Sequence, residues 1–211
     1  MSEDQATAER IREAALRLFA TRGFEATGIR DVAHDAGIST ASLYHYIGGK
    51  QDLLLDIIRS GMHELRVMSE KAVQAGGTPP DRLTALVRGH VMVHGRHQLE
   101  ALVGDGELRA LTEPARKSVI KLRDAYELVW TEVLEDGIAQ GLFEIENPAI
   151  LRLALLQMCT GVAYWFSSAG ELPLAAIADQ FAGLALAMVR YAGHEKQLLQ
   201  PVNMSKKGTT P

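Results

Sequence analysis

The chain has 211 residues, of which 47% are apolar and 23% are charged, and its formal net charge is −4. These values are typical of a globular protein with one large domain or two small ones. The negative balance excludes a generally basic protein that attracts polyanions over its whole surface. The single cysteine, Cys159, excludes an intramolecular disulfide framework. Its apolar helical surroundings predict an inert buried thiol.

The opening segment MSEDQATAERIREAA is acidic and amphipathic, unlike a secretory leader. The apolar run over residues 153–166 is shorter than the ~20 residues that a membrane-spanning helix needs. We therefore expect a cytoplasmic protein with no membrane partner.

The first third of the chain predicts four helices separated by glycines. Apolar residues from Ile11 to Phe19 follow the i, i+3, i+4, i+7, i+8 spacing of a one-sided helix. Gly37 supplies the left-handed conformation that ends the second helix, and Ser39 can cap the third. In chain order, the first helix ends at Gly23 and the others cover residues 28–36, 40–46 and 51–74.

The segment GGTPP, residues 76–80, is a joint, and five further segments with helical periodicity follow it. Pro148 and Pro173 stand at helix starts, where a missing N–H costs little. The predicted helices cover residues 81–98, 105–111, 113–140, 148–168 and 173–192. We find no strand alternation, so we expect an all-α fold of about nine helices.

Two short helices, a turn that contains glycine and a supporting first helix form a helix-turn-helix pattern. If Leu43 packs inward, then Thr40, Ala41, Tyr44 and His45 lie on the opposite, exposed face. Two exposed aromatic rings on so short a helix favour a surface that contacts another molecule. In the alternative interpretation, the aromatic residues of this segment pack within a helical bundle or are simply solvated.

Residues 11–58 closely resemble the DNA-binding domain of the TetR family of bacterial transcriptional regulators. The ordered elements that carry the resemblance are LFATRGFEAT, IRDVAHDAGIS, SLYHY, Lys50 and the pair Leu53-Leu54. The resemblance implies an all-helical homodimer whose three N-terminal helices bind an operator and whose C-terminal helices bind a ligand and dimerise. We accordingly expect a helix-turn-helix domain over 1–50, a ligand-binding and dimerisation domain over 51–194 and a flexible tail over 195–211.

The resemblance also implies individual DNA contacts. The residues that match base-facing positions of the recognition helix are Thr40, Ala41, Tyr44 and His45. The residues that match contacts with phosphate or with the groove edge, which fix register without reading sequence, are Thr27, Arg30, Ser42, Tyr46 and Lys50. The chain departs from the family pattern at Gly28, at Ile47 and at the pair Gly48-Gly49, and these glycines weaken the expected phosphate contacts.

The charge of this domain is low for a DNA-binding protein. Residues 1–60 contain seven Lys or Arg and nine Asp or Glu, whereas residues 37–50 contain no acid. The helix dipole and backbone N–H groups must then supply part of the attraction for phosphate. Few fixed cations predict a shallow dependence of DNA affinity on salt.

Three histidines, His90, His94 and His97, share one face of the helix predicted over 81–98. Their i, i+4, i+7 spacing can present ligands to a metal ion. Apolar residues share that face, however, so we favour a core or pocket lining and expect no metal and no cofactor. The alternative is a metalloenzyme, although no HExxH motif, Glu-x-x-His pair or nucleophile elbow accompanies the histidines.

Bulky side chains concentrate in the helices expected at the centre of the second domain, and a mostly apolar pocket with a few polar anchors is typical of a small-molecule site. The predicted pocket residues are His90, Met92, His94, His97, Tyr126, Trp130, Met158, Tyr164, Trp165 and Phe166. Each large apolar residue can equally fill the core. The segment WTEVLEDGIAQGLF, residues 130–143, is also similar to TetR regulators of fatty-acid and steroid catabolism, which implies an acyl-CoA-like effector.

The last two predicted helices have the character of a dimer surface, and the final one is rich in Ala and Gly, small residues that let helices pack closely. An apolar helix with little chain left to cover it favours a dimer interface. We expect this interface to include Phe181, Gly183, Leu184 and Met188. Burial within one chain is the alternative.

These features predict a ligand-responsive transcriptional regulator rather than an enzyme. We expect a repressor that a small apolar or amphipathic ligand releases from a palindromic operator, with the helix over 51–74 and the joint at 76–80 transmitting the signal. The expected partners are double-stranded DNA, the effector and a second copy of the chain. A helical adaptor that has lost DNA binding is a further alternative.

Overall fold

The computed structural model describes residues 3–191, and every regular element in this range is helical. The predicted all-α fold is therefore confirmed. The tail expected to be flexible, 195–211, lies outside the described residues. The helices are α1 (Glu3–Arg22), α2 (Ile29–Asp35), α3 (Thr40–Leu43), α4 (Lys50–Gln74), α5 (Pro79–Arg96), α6 (Gln98–Gly106), α7 (Glu113–Ala139), α8 (Pro148–Thr160), α9 (Val162–Trp165) and α10 (Leu174–Met188), with a 3-10 turn over Leu108–Ala110 between α6 and α7.

The helix predicted over 105–111 is wrong in position, because α6 precedes most of that segment. The sequence GDG at 104–106 has the composition of a break before a helix. In the fold, Leu99 and Val103 pack against the N-terminal core, and this packing stabilises a helix that ends at the GDG segment. The segment predicted as one helix over 148–168 is divided into α8 and α9 at Gly161.

The N-terminal core lies between α1, α2, α3 and the first half of α4. Ile11, Val32 and Leu43 are completely buried there. Val103 of α6 and Val119 of α7 belong to the same hydrophobic cluster. The segment that carries the helix-turn-helix pattern is therefore packed directly on α6 and α7, and its core includes residues on both sides of the domain boundary predicted at residue 50.

The second core surrounds α5, which packs against α4, α7, α8, α9 and α10. Gly95 of α5 lies directly under Leu174 of α10, where a Cβ atom would overlap the leucine side chain, so glycine permits this close approach. Trp130 and Cys159 are completely buried in this core. Burial raises the pKa of the Cys159 thiol to about 12, so the thiol is protonated at neutral pH and chemically inert.

Over residues 3–191, no helix has both the length and the apolar character that crossing a membrane requires.

Candidate DNA-binding surface and ligand cavity

The turn between α2 and α3 sets the orientation of α3. Gly37 has φ +70°, a conformation that side-chain-bearing residues rarely adopt. Ser39 caps α3, because its hydroxyl accepts a hydrogen bond from the backbone N–H of Ser42 at 3.0 Å. Leu43 is completely buried in the N-terminal core and fixes which face of α3 points outward.

The residues predicted to face bases lie on the side of α3 opposite Leu43. Tyr44 is 54% exposed, and Ala41 and His45 are also exposed. Thr40 is half-buried. After α3 ends, hydrogen bonds from the His45 and Tyr46 amides to carbonyls three residues earlier continue the helical turn. The fold thus presents these side chains together on one surface, as a recognition helix requires.

Three of the five residues predicted at phosphate or at the groove edge lie near this surface. Arg30 is exposed and forms no ion pair with any residue over 3–191. Ser42 shares a hydrogen bond of 2.8 Å with the Ser39 hydroxyl. Tyr46 donates its hydroxyl to Asp4 of α1 at 3.2 Å, which ties the end of the recognition segment to the first turn of the chain.

Thr27 and Lys50 have structural roles that the sequence did not reveal. Thr27 is 1% exposed and its hydroxyl donates to the Gly23 carbonyl at 2.8 Å, so this side chain packs inside the N-terminal unit and is not part of the exposed surface of α3. The Lys50 ammonium donates to the carbonyls of Phe24 and Thr27 at 2.9 and 3.0 Å. One of its three N–H groups is left for a phosphate.

A cavity of about 220 Å³ lies between α4, α5, α6, α7 and α8. Four of the predicted pocket residues line it: His90, His94, His97 and Tyr126. Its apolar wall is formed by Ile58, Met62, Leu65, Val93, Ala101, Leu153 and Leu156. The predicted polar end of a pocket is therefore present on α5.

His90 is the centre of a buried hydrogen-bond network at this end. Its two ring nitrogens lie 2.7 Å from the Tyr126 hydroxyl and 3.0 Å from the Thr160 hydroxyl. The ring of His94 stacks on that of His90 with centroids 4.1 Å apart. Burial and the neighbouring His94 hold the pKa of His90 well below its usual range. Burial raises the pKa of Tyr126, so both groups are neutral at pH 7.

The other six predicted pocket residues lie outside the cavity. Helical periodicity identifies an inward face, but the arrangement of neighbouring helices decides whether that face meets a core or an empty space. Trp130 is completely buried in the second core, and Met158 and Phe166 pack against the same core. Met92 lines a separate surface groove between α4 and α5. Tyr164 and Trp165 are 60% and 55% exposed.

Charged residues at the rim of the cavity were missed. Glu64, Glu100, Asp105, Arg123 and Glu127 line it, and the sequence gives no sign that charges from three helices converge. Gln157 also lines the cavity. Its isolated amide within the apolar run of α8 was the one local signal for a polar wall.

The histidines do not form a metal site in the described part of the chain. Among residues 3–191, no group of three or more His, Cys, Asp or Glu side chains is placed to hold a metal ion. His97 instead lies 3.4 Å from a carboxylate oxygen of Glu64.

The residues predicted for a dimer interface lie on α10. Leu184 and Met188 are 53% and 39% exposed, whereas Phe181 and Gly183 are half-buried. Ile150 of α8 adds a further apolar side chain, 63% exposed.

Several polar side chains join the cavity helices to the N-terminal unit, including Arg12, which lies 3.9 Å from Glu100 of α6. The carboxylate of Glu107, which follows α6, accepts the backbone N–H of Phe24 at 3.0 Å. The Gln51 amide donates to the Ala110 carbonyl at 2.8 Å and accepts the Thr112 N–H at 3.3 Å.

Comparison with known proteins relates both halves of the chain to one family. Residues 11–57 match the family described as "Bacterial regulatory proteins, tetR family", and residues 76–189 match "Tetracyclin repressor-like, C-terminal domain". The chain is 27% identical over 183 residues to the HTH-type transcriptional repressor KstR2 of Mycobacterium tuberculosis, covering 86% of this chain and 92% of that protein.

Solved structures agree with this relationship. A tetR-family regulatory protein from Rhodococcus RHA1 is 30% identical with a TM-score of 0.81, over 90% of this chain and 98% of that one. AibR, whose crystal structure contains isovaleryl coenzyme A and operator DNA, is 28% identical with a TM-score of 0.76, over 84% of this chain and 97% of that one. The chain therefore belongs to the TetR family of bacterial transcriptional regulators, which are DNA-binding transcription factors and not enzymes.

Proposed function

We propose that this regulator is a repressor that binds a palindromic operator as a homodimer and leaves it when a small apolar or amphipathic effector enters the cavity. Each protomer would place α3 and the following turn in a major groove, with the half-site spacing set by the dimer. Tyr44, His45, Thr40 and Ala41 would read base edges, and Arg30, Ser42, Tyr46 and Lys50 would contact the backbone.

The proposed coupling between effector and DNA is supported by α6 and the turn after it, which contact both the cavity and the DNA-binding unit. Glu100, Ala101 and Asp105 line the cavity, and Glu107 holds the backbone of Phe24 in the DNA-binding unit. An effector that favours one position of α6 must therefore act on the segment that carries the helix-turn-helix. α4 also runs from the DNA-binding unit to the cavity, where Met62 and Leu65 line the wall.

Exposed apolar side chains support a second copy of the chain as partner. Ile150, Leu184 and Met188 lie exposed on α8 and α10. Apolar patches of this kind are typical of protein interfaces. Because a two-fold axis places the same patch on both protomers, the dimer would present two recognition helices to a palindromic operator.

The size of the cavity limits the effector. A volume of 220 Å³ is somewhat larger than the cavity of about 150 Å³ that accommodates benzene, so it fits a small apolar group. AibR was solved with isovaleryl coenzyme A, and CoA thioesters are accordingly the first class to test. Of such a molecule, the cavity holds the acyl group and leaves the nucleotide part outside.

Selection of bound duplexes from a random DNA pool tests the function directly. We expect the full-length protein to enrich a palindrome, protected as two half-sites on one face of the duplex. Addition of a compound that binds the cavity is then expected to lower the affinity for that palindrome. Enrichment of no palindrome would refute operator binding, and a tightly bound compound that leaves operator affinity unchanged would refute the coupling.

A further inference from the structure

The buried end of the cavity offers a hydrogen-bond acceptor that the protein leaves unused. His94 Nδ1 lies 3.1 Å from the His90 carbonyl oxygen, and a carbonyl can only accept, so Nδ1 carries the proton. In the neutral ring, Nε2 then has a free lone pair. This atom is on the side of the ring away from the backbone of α5, and it has no hydrogen-bond partner among residues 3–191.

The His94 ring is neutral at pH 7. The side chain is 8% exposed, and burial lowers its pKa, although the bond to the His90 carbonyl and the nearby Asp105 act in the opposite direction. The stacked His90 ring is itself neutral and buried. Nε2 itself is accessible from the cavity, because it is not among the fully enclosed side-chain atoms of residues 3–191 that lack a partner, so a donor group on a ligand can reach it and form a hydrogen bond.

The charged side chains that line the cavity also favour a ligand that donates hydrogen bonds. Four carboxylates line the cavity, from Glu64, Glu100, Asp105 and Glu127, against one guanidinium, from Arg123. Arg123 is already engaged, because it donates to the Gly104 carbonyl at 2.7 Å and lies 3.7 Å from Asp105.

Three of the four carboxylates have an arginine partner: Asp105 has Arg123 of the lining, whereas Glu127 and Glu100 have Arg152 at 3.2 Å and Arg12 at 3.9 Å, which do not line the cavity. The partner of Glu64 in the described residues is His97. The side-chain amide of Gln157 can both donate and accept. The wall thus presents mainly acceptors and negative charge to whatever enters.

We propose that the effector places a hydrogen-bond donor, a hydroxyl or an ammonium group attached to a compact apolar body, against His94 Nε2, and that the cavity rejects carboxylates. This inference rests on the proposed use of the cavity as the effector site. It narrows the effector class: a CoA thioester would satisfy it through a hydroxyl on the acyl chain, and an unsubstituted acyl chain would not.

Four compounds of nearly equal shape test the preference: cyclohexylmethanol, cyclohexylmethylamine, methylcyclohexane and cyclohexanecarboxylate. Binding to the full-length protein is measured by NMR titration at pH 7. We expect the alcohol or the amine to bind about tenfold more tightly than the hydrocarbon and the carboxylate. Comparison of the alcohol with the amine separates the contribution of the hydrogen bond from that of the carboxylates.

Two variants and one spectroscopic signal assign the preference to His94. His94→Leu is expected to abolish the advantage of the alcohol over the hydrocarbon, and His94→Gln, which keeps an acceptor, to restore part of it. If His94→Leu does not fold, the ¹⁵N resonance of His94 Nε2 in the wild-type protein gives the answer, since the bound alcohol must shift it.

Tighter binding of the carboxylate, equal binding of all four compounds, no binding at millimolar concentration, or an unchanged Nε2 resonance would overturn the inference. A carboxylate that binds and releases operator DNA would leave the proposed function intact while overturning the donor requirement. An alcohol or amine that binds through His94 without affecting operator affinity would support the donor requirement and refute the proposed release of operator DNA.

Discussion

The carboxylate of Glu107 accepts a hydrogen bond from the backbone N–H of Phe24 at 3.0 Å. Phe24 lies in the loop between α1 and α2, and its ring is covered by the Lys50 ammonium at 4.0 Å. A residue just beyond α6 therefore holds the loop that supports the helix-turn-helix. Since α6 also forms a wall of the cavity, this bond links the two proposed sites, beside the ion pair of Arg12 in α1 with the cavity residue Glu100 at 3.9 Å.

Glu107→Ala is expected to loosen this link, because the Phe24 N–H loses a charged acceptor whose contribution is about 1.5–3 kcal/mol when fully buried and less in this partly buried position. Hydrogen exchange of the Phe24 amide should accelerate, and the response of operator affinity to an effector should weaken. Glu107→Gln keeps an acceptor and should resemble the wild type. Glu113→Ala, which removes a surface ion pair with Lys117, is the control; an equal effect there would argue against the link.

Tyr44→Ala is expected to reduce operator affinity without unfolding the protein. The side chain is 54% exposed, so little packing is lost, whereas a base contact is worth about 1–3 kcal/mol. Leu43→Ala, by contrast, should destabilise the N-terminal unit by about 2–5 kcal/mol, because Leu43 is completely buried. Gel retardation and thermal unfolding separate the two effects.

Tyr164→Ala is the matched control for Tyr44→Ala, since Tyr164 is 60% exposed and lies on α9. Operator binding should be unaffected. Unchanged affinity in Tyr44→Ala would show that α3 does not use this ring to bind DNA.

Operator affinity is expected to depend only shallowly on salt. Residues 1–60 have more acids than bases, and the Lys50 ammonium is directed largely at protein carbonyls. Arg30→Ala should make the negative slope of log K against log salt shallower by about 0.9, the value for one phosphate contact. Arg88→Ala, which breaks an exposed ion pair with Asp179, should leave it unchanged. A steep slope in the wild type would mean that other basic residues contact DNA.

The stability of the protein is expected to fall as the pH drops below about 6.5. The pKa of a histidine in the unfolded chain is about 6.5, and burial lowers the pKa of His90 well below that value in the folded state. Below pH 6.5 the unfolded chain therefore binds a proton at His90 that the folded chain does not. Each such proton lowers the free energy of unfolding by about 1.4 kcal/mol per pH unit. The stability is retained above pH 6.5, and His94 contributes with the same sign.

Thermal unfolding between pH 5 and 8 measures this dependence. His90→Gln should make the loss at low pH shallower, even if its stability at pH 8 is lower. His34→Gln, at an exposed position of α2, should keep the wild-type slope. A wild-type stability that is flat or rises toward pH 5 would contradict the buried neutral state of His90.

The helix-turn-helix could be predicted from the sequence because its signals are local. A positive-φ glycine at Gly37, a serine cap at Ser39 and an inward Leu43 determine the turn, the start of α3 and its outward face. Each depends on residues a few positions apart. The same local logic placed His90, His94 and Tyr126 on inward faces of their helices, and all three line the cavity.

The tertiary structure decided what those inward faces meet. Helical periodicity cannot distinguish Trp130, which is completely buried in a packed core, from Tyr126, which lines the cavity. The difference depends on how helices distant in sequence pack around the two residues. For the same reason, the carboxylates that converge at the cavity and the Glu107 bond to Phe24 have no local signature. The amino-acid sequence by itself determined most of the helices and the inward faces of α3 and α5, whereas the position of α6 depended on its packing against the N-terminal core. The cavity and the link to the DNA-binding surface arise where those helices meet.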